Sequence, residues 1–194
     1  AIFFYLIFKY RNDVLKKIIE IKFYGLLGGV VLSLSNICFI LSMTSTTVAN
    51  TVFTISLIPF LTAFFSFLIL KEKIAKITIF TMLLAFGGVL VMFYGVLLIG
   101  ALWGNILALF AAICFSIFTI ILRRNKNIDM LPCLLISGII AMALSLFQKM
   151  GSLQISSNDF FLCFILGAVL SGFVNCCFVF ATRYLIAAEV TLFF

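Results

Sequence analysis

Asn36, Asn175, Ser33, Thr54, Pro59, Trp103 and Glu189 are the side chains of this 194-residue chain best suited to chemistry, and each stands in or beside an apolar run. An amide in hydrocarbon needs a partner or water. Asn36 and Asn175 therefore either bond across helices or line a wet pathway. Pro59 has no N–H and its ring clashes with the carbonyl one turn back. A helix through it is either kinked or hinged, with carbonyls exposed to a pathway. Thr54 and Ser56 lie just before it, placed to satisfy freed backbone groups. Glu189 precedes Val190 and Leu192. It is either an interfacial carboxylate favoured by a helix start or an acid that carries a coupling proton. Trp103 either anchors the membrane interface or lines the outer mouth of a pathway. The remaining acids, Asp13, Glu20, Glu72, Asp129 and Asp159, fall at loops or ends and are expected to be solvated, with Glu72 between Lys71 and Lys73 as an interface anchor.

These residues suit transport and not catalysis. There is no His, and the six Cys (38, 114, 133, 163, 176 and 177) lie in apolar stretches without a C-x-x-C pair. Zinc ligation, an activated nucleophile and acid–base pairs at membrane depth all lack their residues. No G-x-x-x-x-G-K loop offers ATP drive. The expectation is no enzyme, no metal and no cofactor. Coupling would be to an ion gradient or to the solute's own gradient.

The elements that carry these residues follow from composition. The chain is 65% hydrophobic and 10% charged, with 25 Phe and a mean hydropathy of +1.37. A soluble domain of this size could not hide that much apolar surface. Charges mark the limits of the spans: 48 uncharged residues separate Lys22 from Lys71, 46 separate Lys76 from Arg123, 19 separate Asp129 from Lys149, and 23 separate Asp159 from Arg183. At about 20 residues per crossing, six spans are predicted, at 23–43, 47–70, 77–97, 102–122, 130–148 and 160–182. Partial spans lie at 1–9 and 187–194. Hydrocarbon offers no hydrogen-bond partner, so the segments must be helices, and nothing alternates as a barrel strand would. Twelve of the thirteen Lys and Arg then fall on one side, with Lys149 alone on the other, and the basic side is cytoplasmic. A net charge of +7 arranged this way does not call for nucleic acid.

The first and sixth spans align without a gap at an offset of 139 residues, pairing Gly28 with Gly167, Asn36 with Asn175, Cys38 with Cys177 and Ala49 with Ala188. Five spans separate the copies, so they run in opposite directions, which is the inverted repeat typical of transporters. The predicted fold is an all-α polytopic membrane bundle built from an inverted repeat of five helices, split as residues 1–98 and 99–194. Carried outward, the offset predicts ten helices and about 280–300 residues for the intact protein, truncated here at both ends. Stripes of small and polar residues (Gly25, Gly28, Gly29, Ser33 and Asn36 in the first span; Gly104, Ala108, Ala111, Ala112 and Thr119 in the fourth; Thr81, Ala85, Gly88, Met92 and Gly95 in the third) suit close helix packing or a pathway.

The stretch TTVANTVFTISLIPFLTAFFSFLILKEK, Thr46 to Lys73, resembles the EamA-type transporters of the drug/metabolite transporter superfamily, with Pro59 and Glu72 at the family's proline and acidic positions. Gly100 to Arg124 resembles the opening helix of that family's second domain, and ATRYLIAAEV, Ala181 to Val190, the link between its eighth and ninth helices. The resemblance implies a secondary transporter that moves a small metabolite or drug-like solute, as an exporter, by alternating access in the bacterial cytoplasmic (inner) membrane. Its implied partners are the bilayer, the solute and a proton or other coupling ion, and a homodimer is compatible with it. A non-transporting membrane scaffold or accessory subunit is the alternative.

Overall fold

The computed structural model describes residues 21–72, 76–92, 102–148 and 172–192, and five residues between 161 and 167. Its helices are α1 (Lys22–Ser45), α2 (Val48–Ile55), α3 (Ile58–Phe65), α4 (Lys76–Met92), α5 (Leu102–Arg124), α6 (Leu131–Gln148), α7 (Gly172–Tyr184) and α8 (Ala187–Leu192). No strand occurs among the described residues. Among the described residues, three apolar segments are long enough to cross a bilayer: Phe23–Ser45, Val48–Leu70 and Leu102–Arg124. The chain is an all-α membrane protein. The expected partial span at 1–9, most of the first half of the span expected at 160–182, and the end of the one at 77–97 lie outside the described residues.

The bundle is assembled on α5. Ser35 Oγ donates to the Ala111 carbonyl and Ser42 Oγ to that of Gly104, both at 2.8 Å. The register falls by seven on α5 as it rises by seven on α1, so the two helices are antiparallel. The predicted stripe of α5 is the contact face: Gly104, Ala108, Ala111, Ala112 and Thr119 are all buried. Small residues let backbones approach, and serine hydroxyls bond carbonyls across the gap where no water competes. The Gly28–Gly29 pair of α1 faces α6, against Cys133 and Ile136. The core between them holds Leu32, Phe118, Ile121, Leu131, Leu134 and Phe178. In α4, Thr81 of the predicted stripe is exposed, and Thr78 and Met82 beside it are buried. Ile77, Phe80 and Leu84 of the same helix are exposed, as a lipid-facing surface requires.

The reversal after α1 is made by threonines. Thr46 is extended, and its N–H closes on the Ser42 carbonyl at 2.9 Å. Thr47 then caps α2, its side chain accepting from the Asn50 N–H at 3.2 Å. The span expected as one helix over 47–70 is broken at Ser56–Leu57. Pro59 falls in the first turn of α3, where its missing N–H has no partner to lose. The span ends in a π-helical turn, Ser66–Leu70, followed by Lys71 in the left-handed conformation at φ 55°. That residue reverses the chain and brings Glu72 back toward the bundle.

Candidate functional site

A cavity of about 450 Å³ lies among α1, α2, α3, α4, α5 and α8, within the size range of small-molecule sites. Asn36 and Phe39 reach it from α1, Ile55 and Ser56 from the break, Pro59 and Phe60 from α3, Met82 and Phe86 from α4, Ala111 and Phe115 from α5, and Thr191 and Leu192 from α8. The broken second span explains part of this shape. A straight helix would pack along its whole length, whereas the offset at Ser56 leaves a concavity against α1 and α5. Phe60 and Phe86 meet edge to face at 5.1 Å and fix one wall. Ala63, Met82 and Ala188 form a separate small buried cluster against Phe60 and Leu192.

Of the residues singled out by sequence, Asn36 and Pro59 line the cavity. Thr54 lies in the adjoining turn, with its hydroxyl on the Asn50 carbonyl at 2.8 Å. Ser56 bonds the Phe53 carbonyl at 2.6 Å. Both hydroxyls therefore satisfy carbonyls of α2, before the break. Ser33 is buried with its hydroxyl on the Val30 carbonyl of its own helix. Trp103 is 69% exposed in the first turn of α5, away from the cavity lining. Asn175 is half-buried in α7, also outside that lining. Glu189 is half-buried in the first turn of α8, its N–H on the Ile186 carbonyl at 3.0 Å, two residues before the cavity-lining Thr191.

Two acids expected to be solvated are instead paired. Glu72 accepts from Arg123 Nε at 2.8 Å and from Ser66 Oγ at 2.9 Å. Arg123 Nη1 also donates to the carbonyls of Thr182 and Arg183, at 3.3 and 3.2 Å. Arg183 Nη2 in turn meets Asp129 Oδ1 at 2.6 Å, and that carboxylate caps α6 through the Leu131 N–H. This chain ties the ends of the second span, α5, α6 and α7 together at the Lys/Arg-rich end of the bundle. Arg123 and Glu72 are only 12% and 23% exposed, so solvent screens their pairing weakly. The readable signal was an acid inside one basic cluster, Glu72 between Lys71 and Lys73, and another just behind a second, Asp129 after Arg123–Lys126.

The opposite end is held by neutral groups. Ser42 Oγ and Thr51 Oγ1 lie 2.9 Å apart, Thr46 Oγ1 donates to Asn105 Oδ1 at 3.3 Å, and Asn50 Nδ2 donates to Thr46 Oγ1 at 3.3 Å. The two ends of the cavity thus differ in kind: ion pairs at one, hydroxyls and amides at the other.

Residues 1–94 match the family model of the EamA-like transporter family. No curated protein and no solved structure matches the chain.

Proposed function

We propose, from the match of residues 1–94 to the EamA-like transporter family of the drug/metabolite transporter superfamily, that the cavity is the solute site of a secondary transporter working by alternating access. The observation that carries this reading is the cavity itself, lying between a charge-locked end and a neutral one. With the basic end cytoplasmic, the ion pairs form the inner closure, and the conformation described is shut toward the cytoplasm. Release or loading there requires Arg123 to leave Glu72. Export of a small metabolite or drug-like solute across the bacterial inner membrane is the cycle we assign.

Two features support an inverted repeat of residues 1–98 and 99–194. The paired sequences of the first and sixth spans are one. The other is local structure: α1 ends at Ser45 and α2 opens at Val48, while α7 ends at Tyr184 and α8 opens at Ala187, the same break displaced by 139 residues. Opposed copies of one unit can exchange conformations and so open either side.

The full-length protein, expressed in a sensitive bacterial host and screened against amino acids, small metabolites and drugs, should raise tolerance to at least one compound and lower its cellular content. Unchanged tolerance across the panel, together with no flux in liposomes, would favour the scaffold alternative. Orientation is checked by cysteine labelling in a Cys-free background. Residues 10–20, 72–75 and 124–127 should react from the cytoplasm and 152–157 from outside; labelling of 152–157 from the cytoplasm alone contradicts the inverted repeat.

Glu189 is the coupling residue of this proposal. It stands between the buried Ala188 and Val190 on the short helix that reaches the cavity. Glu189→Gln should abolish gradient-driven accumulation while exchange persists, because the amide keeps the shape without titrating. An interfacial cap would lose only about 1 kcal/mol of helix-end stability and keep the pH dependence of accumulation.

A further inference from the structure

The lining of the cavity restricts what can occupy it. None of its fifteen lining residues carries a charge, and four of them are phenylalanines: Phe39, Phe60, Phe86 and Phe115. Its polar side chains are Ser35, Asn36, Ser56 and Thr191. Three of these already donate to backbone: Ser35 to the Ala111 carbonyl at 2.8 Å, Ser56 to that of Phe53 at 2.6 Å, and Thr191 to that of Ala188 at 3.0 Å. Each hydroxyl has one proton, so none of the three has a donor left for a solute. Asn36 differs. Its side chain is exposed in the cavity and has no hydrogen-bond partner among the described residues, so it offers both a carbonyl oxygen and an NH₂ group.

Resting on the reading of this cavity as the transport site, we propose that it takes an electrically neutral solute with a flat aromatic or similarly apolar body and one hydrogen-bonding group, carboxamide-like in having both donor and acceptor, which pairs with Asn36. The phenylalanine walls receive the body through burial and ring contacts. An amide facing an amide satisfies donor and acceptor on both sides. A net charge on the solute would lose its hydration and meet no opposing charge in the lining. Glu72, Arg123, Asp129 and Arg183 are engaged with one another at the basic end, and Glu189, on the short helix that reaches the cavity, is not among its lining residues.

The test is an isosteric series read by naphthyl fluorescence: 2-naphthamide, naphthalene, 2-naphthoate and 2-naphthylmethylammonium, titrated into the full chain in nanodiscs with empty nanodiscs as the blank. The amide should bind at least roughly tenfold more tightly than either ion. Asn36→Leu, close in volume and without polar atoms, should weaken 2-naphthamide by roughly five- to tenfold and leave naphthalene unchanged. Phe86→Ala, which removes a wall, should weaken both. Ions that bind as well as the amide, or an Asn36→Leu chain that loses both neutral probes equally, would overturn the proposal; should Asn36→Leu fail to fold, the wild-type charge series alone decides. Flux in liposomes separates this proposal from the one beneath it. Transport of a charged solute with no binding of 2-naphthamide refutes the neutral class and leaves transport standing. Binding of 2-naphthamide by a chain that moves no solute supports the class and refutes transport.

Discussion

Arg123→Gln is expected to open the basic end of the bundle to the cytoplasm. Among the described residues, Arg123 is the side chain there that bonds both Glu72 of the second span and the last carbonyls of α7, at 2.8, 3.3 and 3.2 Å. Hydrogen bonds to charged groups contribute about 1.5–3 kcal/mol each. The glutamine keeps neither the charge nor the reach, and Glu72 is left with Ser66. A shift of about 2–3 kcal/mol in a two-state equilibrium changes the minor population by roughly 30- to 150-fold. The measurement is the reaction of a single cysteine at Phe60, a cavity residue, with a membrane-impermeant maleimide applied to inside-out vesicles. The rate should rise at least about tenfold in Arg123→Gln and in Glu72→Gln. The double variant should resemble Arg123→Gln, because the Glu72 pair is already lost there, whereas Glu72→Gln alone keeps the Arg123 bonds to α7. Equal rates in wild type and Arg123→Gln would mean that the ion pairs do not hold this end shut.

Gly29→Leu should prevent α1 from seating on α6. A Cβ at Gly29 would lie 2.7 Å from Ile136 Cγ2, 2.9 Å from Ile136 Cβ and 3.2 Å from the Cys133 carbonyl oxygen. The last is backbone and the other two belong to a β-branched side chain, stiff at χ1, so nothing there yields without moving a helix. Overpacking costs about 1–3 kcal/mol for modest insertions, and leucine adds a whole branched side chain. Gly29→Ala should lower the melting temperature in detergent by several degrees, and Gly29→Leu should yield no monodisperse protein on size exclusion. Gly138→Ala in α6 is the control, since a Cβ there meets nothing within 4 Å. A Gly29→Ala chain as stable as Gly138→Ala would mean that the α1–α6 contact is looser than described.

The small-residue stripes show where a one-dimensional reading stops. Gly28 and Gly29 lie against α6, whereas Ser35 and Ser42 lie against α5, so α1 has two contact faces where a single stripe was read. Ser33 and Asn36, placed on one stripe, part company: Ser33 is buried against its own helix and Asn36 faces the cavity. In a soluble helix the polar face reports the outside. In a bilayer lipid and protein interior are equally apolar, so periodicity does not say which face of Lys76–Met92 turns inward.

What the sequence by itself determined was the set of crossings. Backbone groups in hydrocarbon must be satisfied within their own segment, and charges stop a segment at the interface, so span limits are written in composition. The expected 23–43 and 102–122 became Lys22–Ser45 and Leu102–Arg124, both long enough to cross, while 130–148 became the helix Leu131–Gln148, whose apolar part, Leu131–Ser145, is shorter than a crossing. A reversal within Ser42–Asn50 and a gap between the span ending at 182 and the partial one at 187–194 were also expected, and helices end there at Ser45 and Tyr184. Tertiary structure alone decided which side chains meet. Glu72 and Arg123 are 51 residues apart, and their pairing depends on a left-handed Lys71 and on the height at which α5 ends beside α7. The cavity likewise exists because the Pro59 span is broken and offset against α1, α4, α5 and α8. That is a relation among six helices, and no local pattern encodes it, because each helix is apolar whether or not a cavity lies beside it.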